Sequence, residues 1–130
     1  VGELVTTTNS VNPNAVGIYN VIYTAFDAAG NKGTATRVVI VNDTTAPVIT
    51  ITGPSGLTIE RYSTYSDPGA NSNGGEKVYT DNQVKTSIAN TYNVIYTATD
   101  AAGNTGTATR TVTVQDTTAP VITLNGLIFI

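Results

Sequence analysis

Histidine, cysteine, tryptophan and methionine are all missing from the 130 residues. Without histidine there is no Ser–His or Cys–His nucleophile and no imidazole-ligated metal. Without cysteine the chain is not one of the small secreted domains held together by disulfides. Charge is also scarce. Charged residues make up 12% of the chain and the net charge is −3, which leaves no basic footprint for nucleic acid. No apolar run approaches the roughly 20 residues of a membrane-spanning helix, so no membrane insertion is expected. No charged segment leading into an apolar one follows Val1, which leaves either a removed signal or a fragment of a longer polypeptide.

What is present is apolar or uncharged. Hydrophobic residues reach 40%, so the polar surface has to be built mostly from Thr, Asn, Ser and Gly. Disordered chains show the opposite balance, with high charge and few apolar residues. The length suffices for one ordinary domain or two small ones.

The chain repeats itself. "FDAAGNKGTATR" at 26–37 returns as "TDAAGNTGTATR" at 99–110. Sliding the sequence by 73 positions aligns residues 1–57 with 74–130 without a gap. Between Tyr19 and Thr50 only Phe26, Lys32, Val38, Ile40 and Asn42 differ from their partners. The match weakens over residues 12–18, as a loop would. This spacing predicts a partial unit over 1–43, a complete unit over 44–116, and the opening strands of a further unit over 117–130.

Each unit reads as β-structure. In "TYNVIYTATD" (91–100), Tyr92, Val94, Tyr96 and Ala98 alternate with polar or outward residues, and "GTATRTVTVQ" (106–115) has the same period of two. "DAAGN" joins them as a hairpin, with Asp bonding nearby N–H groups and Gly103 taking the left-handed position. "APVITIT" (46–52) and "LTIERY" (57–62) are predicted strands around a "GPSG" turn. "KVYT" and "NQVKTS" are further short strands, and "SDPGANSNGG" is a predicted loop. About seven short strands with regular turns predict a compact β-sandwich for each unit of an all-β chain.

"YNVIYTATDAAGNTGTATRTVTVQDTTAPVIT" (92–123) resembles the C-terminal half of the bacterial surface Ig-like repeats and of the related hyalin repeat. The shared pattern is G-x-Y-x-V-x-Y-x-A-x-D-x-x-G-N, a threonine-rich strand, and D-x-x-x-P-x-I opening the next unit. "YSDPGA" (65–70) resembles another segment of the bacterial version. The resemblance departs in two places: "NSNGGEK" stands where an acidic stretch is common, and the cysteines of hyalin repeats are missing. It implies tandem Ig-like β-sandwiches with a 73-residue repeat, in a non-catalytic protein of the cell exterior that works as a stalk, an adhesin or an accessory module of a secreted enzyme. The expected function is therefore a structural or adhesive role at a prokaryotic surface. A ligand- or carbohydrate-binding accessory module is the alternative.

Three carboxylates are candidate ligands. Asp43 in the linker, Asp67 in "SDPGA" and Asp100 in the hairpin are expected at one end of a sandwich, where they could hold calcium at the junction between units. In the competing reading Asp27 and Asp100 cap turns, while Asp43 and Asp116 simply start linkers. No cofactor is required by either. A glycosidase-like pair of Asp43 and Asp100 is not expected, because so small a sandwich leaves little room for a substrate cleft. Tyr19, Tyr23, Tyr92 and Tyr96 are expected in the core or as tyrosine corners, and Tyr62, Tyr65 and Tyr79 would carry a glycan site. Arg37 and Arg110 are expected at a sandwich rim, with stem packed and charge in water. "NDT" at 42–44 fits the N-glycosylation pattern.

The unit boundaries carry a further expectation. Residues 1–42 supply late strands without an "APVITIT…LTIERY" pair, whereas "APVITLNGLIFI" (119–130) supplies that kind of pair. Val121, Ile122, Leu124, Leu127, Ile128, Phe129 and Ile130 are therefore expected to complete the head of a neighbouring copy by strand donation. The competing expectation places the missing strands elsewhere in a longer polypeptide. The partners are then copies of the chain or adjacent repeats, besides any host or surface ligand.

Overall fold

A computed structural model describes residues 2–130, which form nine β-strands and no helix. The chain divides into two compact units, Val1–Thr45 and Ala46–Ile130.

The first unit is one antiparallel sheet of β1 (Thr6–Asn9), β2 (Gly17–Phe26) and β3 (Lys32–Val41), in that order. The β2–β3 hairpin closes where Asp27 and Asn31 pair through the backbone. The Asp27 N–H donates to the Asn31 carbonyl and the Gly30 N–H to the Asp27 carbonyl, both at 3.0 Å. Gly30 sits at φ 85°, a conformation a Cβ would oppose. Tyr19, Val21, Tyr23 and Ala25 lie opposite Val39, Arg37, Ala35 and Gly33, so these eight share one face.

The second unit holds β4 (Ile49–Ile51), β5 (Gly56–Glu60), β6 (Ala70–Ser72), β7 (Tyr79–Asn82), β8 (Asn90–Thr99) and β9 (Thr105–Gln115). One sheet has the order β5-β9-β8-β7 and the other pairs β4 with β6. The β7-β8-β9 ladder matches β1-β2-β3: Tyr79↔Thr97 corresponds to Thr6↔Thr24. Gly53, at φ 77°, and Pro54, which has no N–H, release the chain from β4 into β5 of the other sheet. The core lies between the sheets. Val94, Tyr96 and Val112 are fully buried, and Ile49, Ile51, Leu57 and Ile59 pack onto them.

Two details differ from the sequence expectations. The predicted loop "SDPGANSNGG" contains β6, whose backbone supplies β4 with its ladder partner, and the Asn73 side chain accepts the Val48 N–H at 2.9 Å. "NQVKTS" is not a strand beyond Asn82, because the Asn82 side chain bonds the Val84 N–H at 3.1 Å and turns the chain. Residues 117–130 form no strand, and from Val121 onward the large apolar side chains are at least 84% exposed.

Candidate functional site

The inner face of the second unit is closed by an ionic knot. Arg110 follows the alternation of β9 onto the same face as Val112, and its side chain has no exposed surface. The sequence places it at a rim with its charge in water, and the structure corrects this. A buried guanidinium needs hydrogen-bond partners, and here each of its three nitrogens finds at least one. Nε lies 3.0 Å from the Tyr96 hydroxyl and 3.2 Å from the Asp67 carboxylate. The terminal nitrogens donate to the carbonyls of Pro54, Thr52 (2.6 Å) and Gly69 (3.4 Å). Asp67 also accepts from the hydroxyls of Tyr65 at 2.9 Å and Tyr96 at 2.6 Å. Burial, reinforced by the bond to Asp67, pushes both phenols above their usual range. The knot therefore ties β9, β8, the β4–β5 turn and the "SDPGA" segment together.

In the first unit the same face is open. Arg37, 73 positions before Arg110, is exposed and stacks over Tyr23 at 5.7 Å. Tyr23 is half-buried, and Ala35 is exposed. Among the described residues of this unit Val21 alone is buried, at 6% exposure. The difference follows from topology. In the second unit β4 and β5 supply the apolar cover, and the turn between them, together with Gly69, supplies the carbonyls; the first unit has no such strands among its described residues. The outer faces differ too. Ile18, Val38 and Ile40 of the first unit are exposed where the second unit has Thr91, Thr111 and Thr113.

Each candidate carboxylate has a local role. Asp67 belongs to the knot. Asp100 accepts from the Asn104 N–H at 2.8 Å and the Asn104 amide at 2.9 Å, and Asp27 makes the same bonds to Asn31 at 2.8 Å. The Asn side chains and turn amides hold both carboxyls below the usual range. Asp43, in the first unit, accepts the Thr45 N–H at 2.9 Å. Among the described residues no three acidic side chains gather into a metal-binding group.

The tyrosines divide by position. Tyr19 and Tyr92 donate to carbonyls four residues earlier, Ala15 at 2.9 Å and Ile88 at 3.0 Å, as tyrosine corners do. Tyr96 is core. Tyr62 and Tyr79 are exposed, but Tyr65 packs against the core, so the three do not form one surface platform.

The exit of the second unit is fastened in a way the sequence does not announce. Glu60, at the end of β5, accepts the Thr117 N–H at 2.7 Å and the hydroxyls of Thr117 at 2.7 Å and Thr118 at 3.1 Å. These bonds, led by the Thr117 hydroxyl, hold its carboxyl below the usual range. Arg61 pairs with Asp116 at 3.3 Å. The segment "QDTT" thus leaves along a direction set by β5.

A family model described as "Bacterial surface protein, Ig-like domain" matches residues 1–41 and 49–114. The chain is similar to an uncharacterized 81.3 kDa protein of Acholeplasma phage L2, at 34% identity over 108 residues covering 75% of this chain and 15% of that protein. It is also similar to hyalin of Strongylocentrotus purpuratus, at 37% over 120 residues, covering 80% of this chain and 10% of the hyalin. Hyalin of Lytechinus variegatus is 38% identical over 125 residues, covering 84% of this chain and 23% of that protein. The chain thus spans less than a quarter of each of these relatives. With its all-β units and the matched length of the family pattern, the chain belongs to the bacterial surface Ig-like domain family.

Proposed function

We propose that the chain is a non-enzymatic structural segment of an extracellular stalk or adhesin at a prokaryotic surface, built from 73-residue units in tandem. The observation that carries this reading is the parallel pairing of β5 with β9, from Gly56↔Thr111 to Glu60↔Gln115. β5 lies near the start of its unit and β9 ends it. Tension between the two chain ends pulls these strands in opposite directions along their common axis. All the ladder bonds are then loaded together in shear, rather than opened one at a time. Two backbone bonds extend the ladder at its ends, Thr111 N–H to Ser55 at 2.9 Å and Arg61 N–H to Gln115 at 2.6 Å. The knot around Arg110 and the latch at Glu60 keep β5 seated on β9. A unit of this design transmits force along a repeat array.

Single-molecule pulling of the chain from its two ends tests the proposal. The second unit is expected to give a discrete rupture event at high force. Smooth extension with no rupture removes the stalk role.

A further inference from the structure

Lys77, Tyr79 and Asp81 stand at alternate positions of "KVYTD", the segment that leads into and forms β7 at the edge of the four-stranded sheet. Val78, between the first two, packs onto the core, so the three belong to the outer face. Tyr79 lies opposite Thr97, and Asp81 opposite Ile95. Thr97 and Ile95 in turn lie opposite Thr107 and Thr109 of β9. Two rows thus cross the outer face side by side, one headed by Tyr79 and the other by Asp81. Tyr79 is 62% exposed and Ile95 39%, and the Lys77 ammonium lies 4.8 Å from the centre of the Tyr79 ring.

No internal task accounts for that ring. Tyr65, Tyr92 and Tyr96 each donate to an acceptor within the unit, whereas the Tyr79 hydroxyl donates to none among the described residues. Charges on an edge strand discourage pairing with another chain, and Lys77 and Asp81 supply these without an aromatic between them. One oxygen of Asp81 accepts from the Gln83 amide, and the other accepts nothing among the described residues. The first unit has the same floor, with Ile22, Thr24, Thr34 and Thr36 in place of Ile95, Thr97, Thr107 and Thr109. It carries Leu4, Thr6 and Thr8 where the second unit has Lys77, Tyr79 and Asp81.

We infer that this outer face of the second unit binds a neutral polysaccharide, with Tyr79 as its stacking plate. A pyranose ring offers C–H bonds on its flat faces and hydroxyls around its rim. The electron-rich face of a tyrosine attracts the first, and Ile95 beside it adds apolar surface. Asp81 accepts hydroxyl hydrogens, Lys77 donates, and the threonine hydroxyls do either. Lys77 takes one face of the ring, and the sugar stacks on the other. The charges of Lys77 and Asp81 cancel, which suits an uncharged sugar better than a uronate. Each row crosses two strand spacings, about 10 Å, which exceeds one sugar ring. A sheet face is also open at its sides, so the ligand is a stretch of a longer glycan. Contact on such a face is weak for one unit and gains by avidity along an array. The inference does not rest on the stalk role; it adds a ligand to it.

Cellohexaose, chitohexaose and mannohexaose, each titrated to millimolar concentration into the isotope-labelled full chain, are the probes. At least one is expected to give saturable NMR shifts at Tyr79, Ile95 and Thr97, while Ile22 and Thr24 of the first unit stay still. Tyr79→Ala is expected to weaken that binding by about tenfold or more without moving the thermal melt, because the ring is exposed. Tyr79→Phe keeps the plate and is expected to keep the binding. Three results each overturn the inference: no saturable shift with any of the three sugars; shifts of equal size at Ile22 and Thr24; or binding that survives Tyr79→Ala. A chain that binds none of the sugars yet ruptures at high force loses this site and keeps the stalk role.

Discussion

Arg110 Nε lies 3.2 Å from the carboxylate of Asp67, inside a unit where the guanidinium has no exposed surface. Removing one member of such a pair leaves a buried charge without its partner, which costs about 3–5 kcal/mol. Arg110→Met and Asp67→Asn are each expected to destabilise the second unit on that scale in a urea melt. Arg37→Met removes an exposed side chain and is expected to stay within about 0.5 kcal/mol. Equal losses from the two arginine variants would contradict the open face of the first unit.

The hairpin chemistry was legible in the sequence, because Asp27, Gly30 and Asn31 act on neighbours within four residues. The corner tyrosines were legible for the same reason. Arg110 was not. Its alternation put it on the inner face, but apart from Tyr96 its partners stand 41 to 58 residues away and meet it only once β4, β5 and "SDPGA" are folded over β9. Asp67 stands out in the sequence as acidic and oxygen-rich, although one of its oxygens serves a buried arginine and two phenols. β6 was hidden because its ladder is made by the backbone of a polar segment, which carries no apolar alternation. The Pro47 carbonyl occupies the place where a Cβ of Gly106 would stand, and nothing local marks a glycine required by a residue 59 positions earlier.

Tyr65 and Tyr96 are expected to ionise above the ordinary phenol value of about 10. Burial disfavours the phenolates first, and the Asp67 carboxylate adds to it. Because the folded values are raised, the stability they contribute is complete below about pH 10 and is lost as pH rises through the folded values. Ultraviolet titration should show a late component that coincides with unfolding and shrinks in Tyr65→Phe. Ionisation of every tyrosine before any loss of β-structure would contradict the knot.

The Glu60 latch has the opposite pH dependence. Its folded carboxyl lies below the ordinary 4.5, so its contribution is present above that value and is lost as pH falls through the folded value. Hydrogen exchange at the Thr117 amide is expected to be slow at neutral pH, and to quicken, relative to intrinsic rates, only below about pH 4.5. Glu60→Gln is expected to abolish that pH step while the core amides of β8 stay protected. A Thr117 amide that exchanges at its intrinsic rate at neutral pH would show that the exit is not fastened.

Calcium is expected to leave the melting of the second unit unchanged at millimolar concentration. Asp67 is paired with Arg110, and both oxygens of Asp100 already accept bonds from Asn104. A cation would have to displace these donors, whereas extracellular calcium sites of this affinity class offer free oxygens. A rise in melting temperature that disappears in Asp100→Ala would contradict this expectation.

The outer face of the first unit should govern lateral association. Ile18, Val38 and Ile40 are 73%, 60% and 61% exposed, and Ile18 lies directly across from Ile40 in the ladder. The second unit carries threonine at all three corresponding places on the same pair of strands. Writing that pattern into the first unit, as Ile18→Thr, Val38→Thr and Ile40→Thr, exchanges apolar for β-branched polar side chains without disturbing strand propensity. The triple variant is expected to bind less of a hydrophobic dye and to self-associate less in sedimentation velocity. If neither changes, the exposed isoleucines and valine take no part in association.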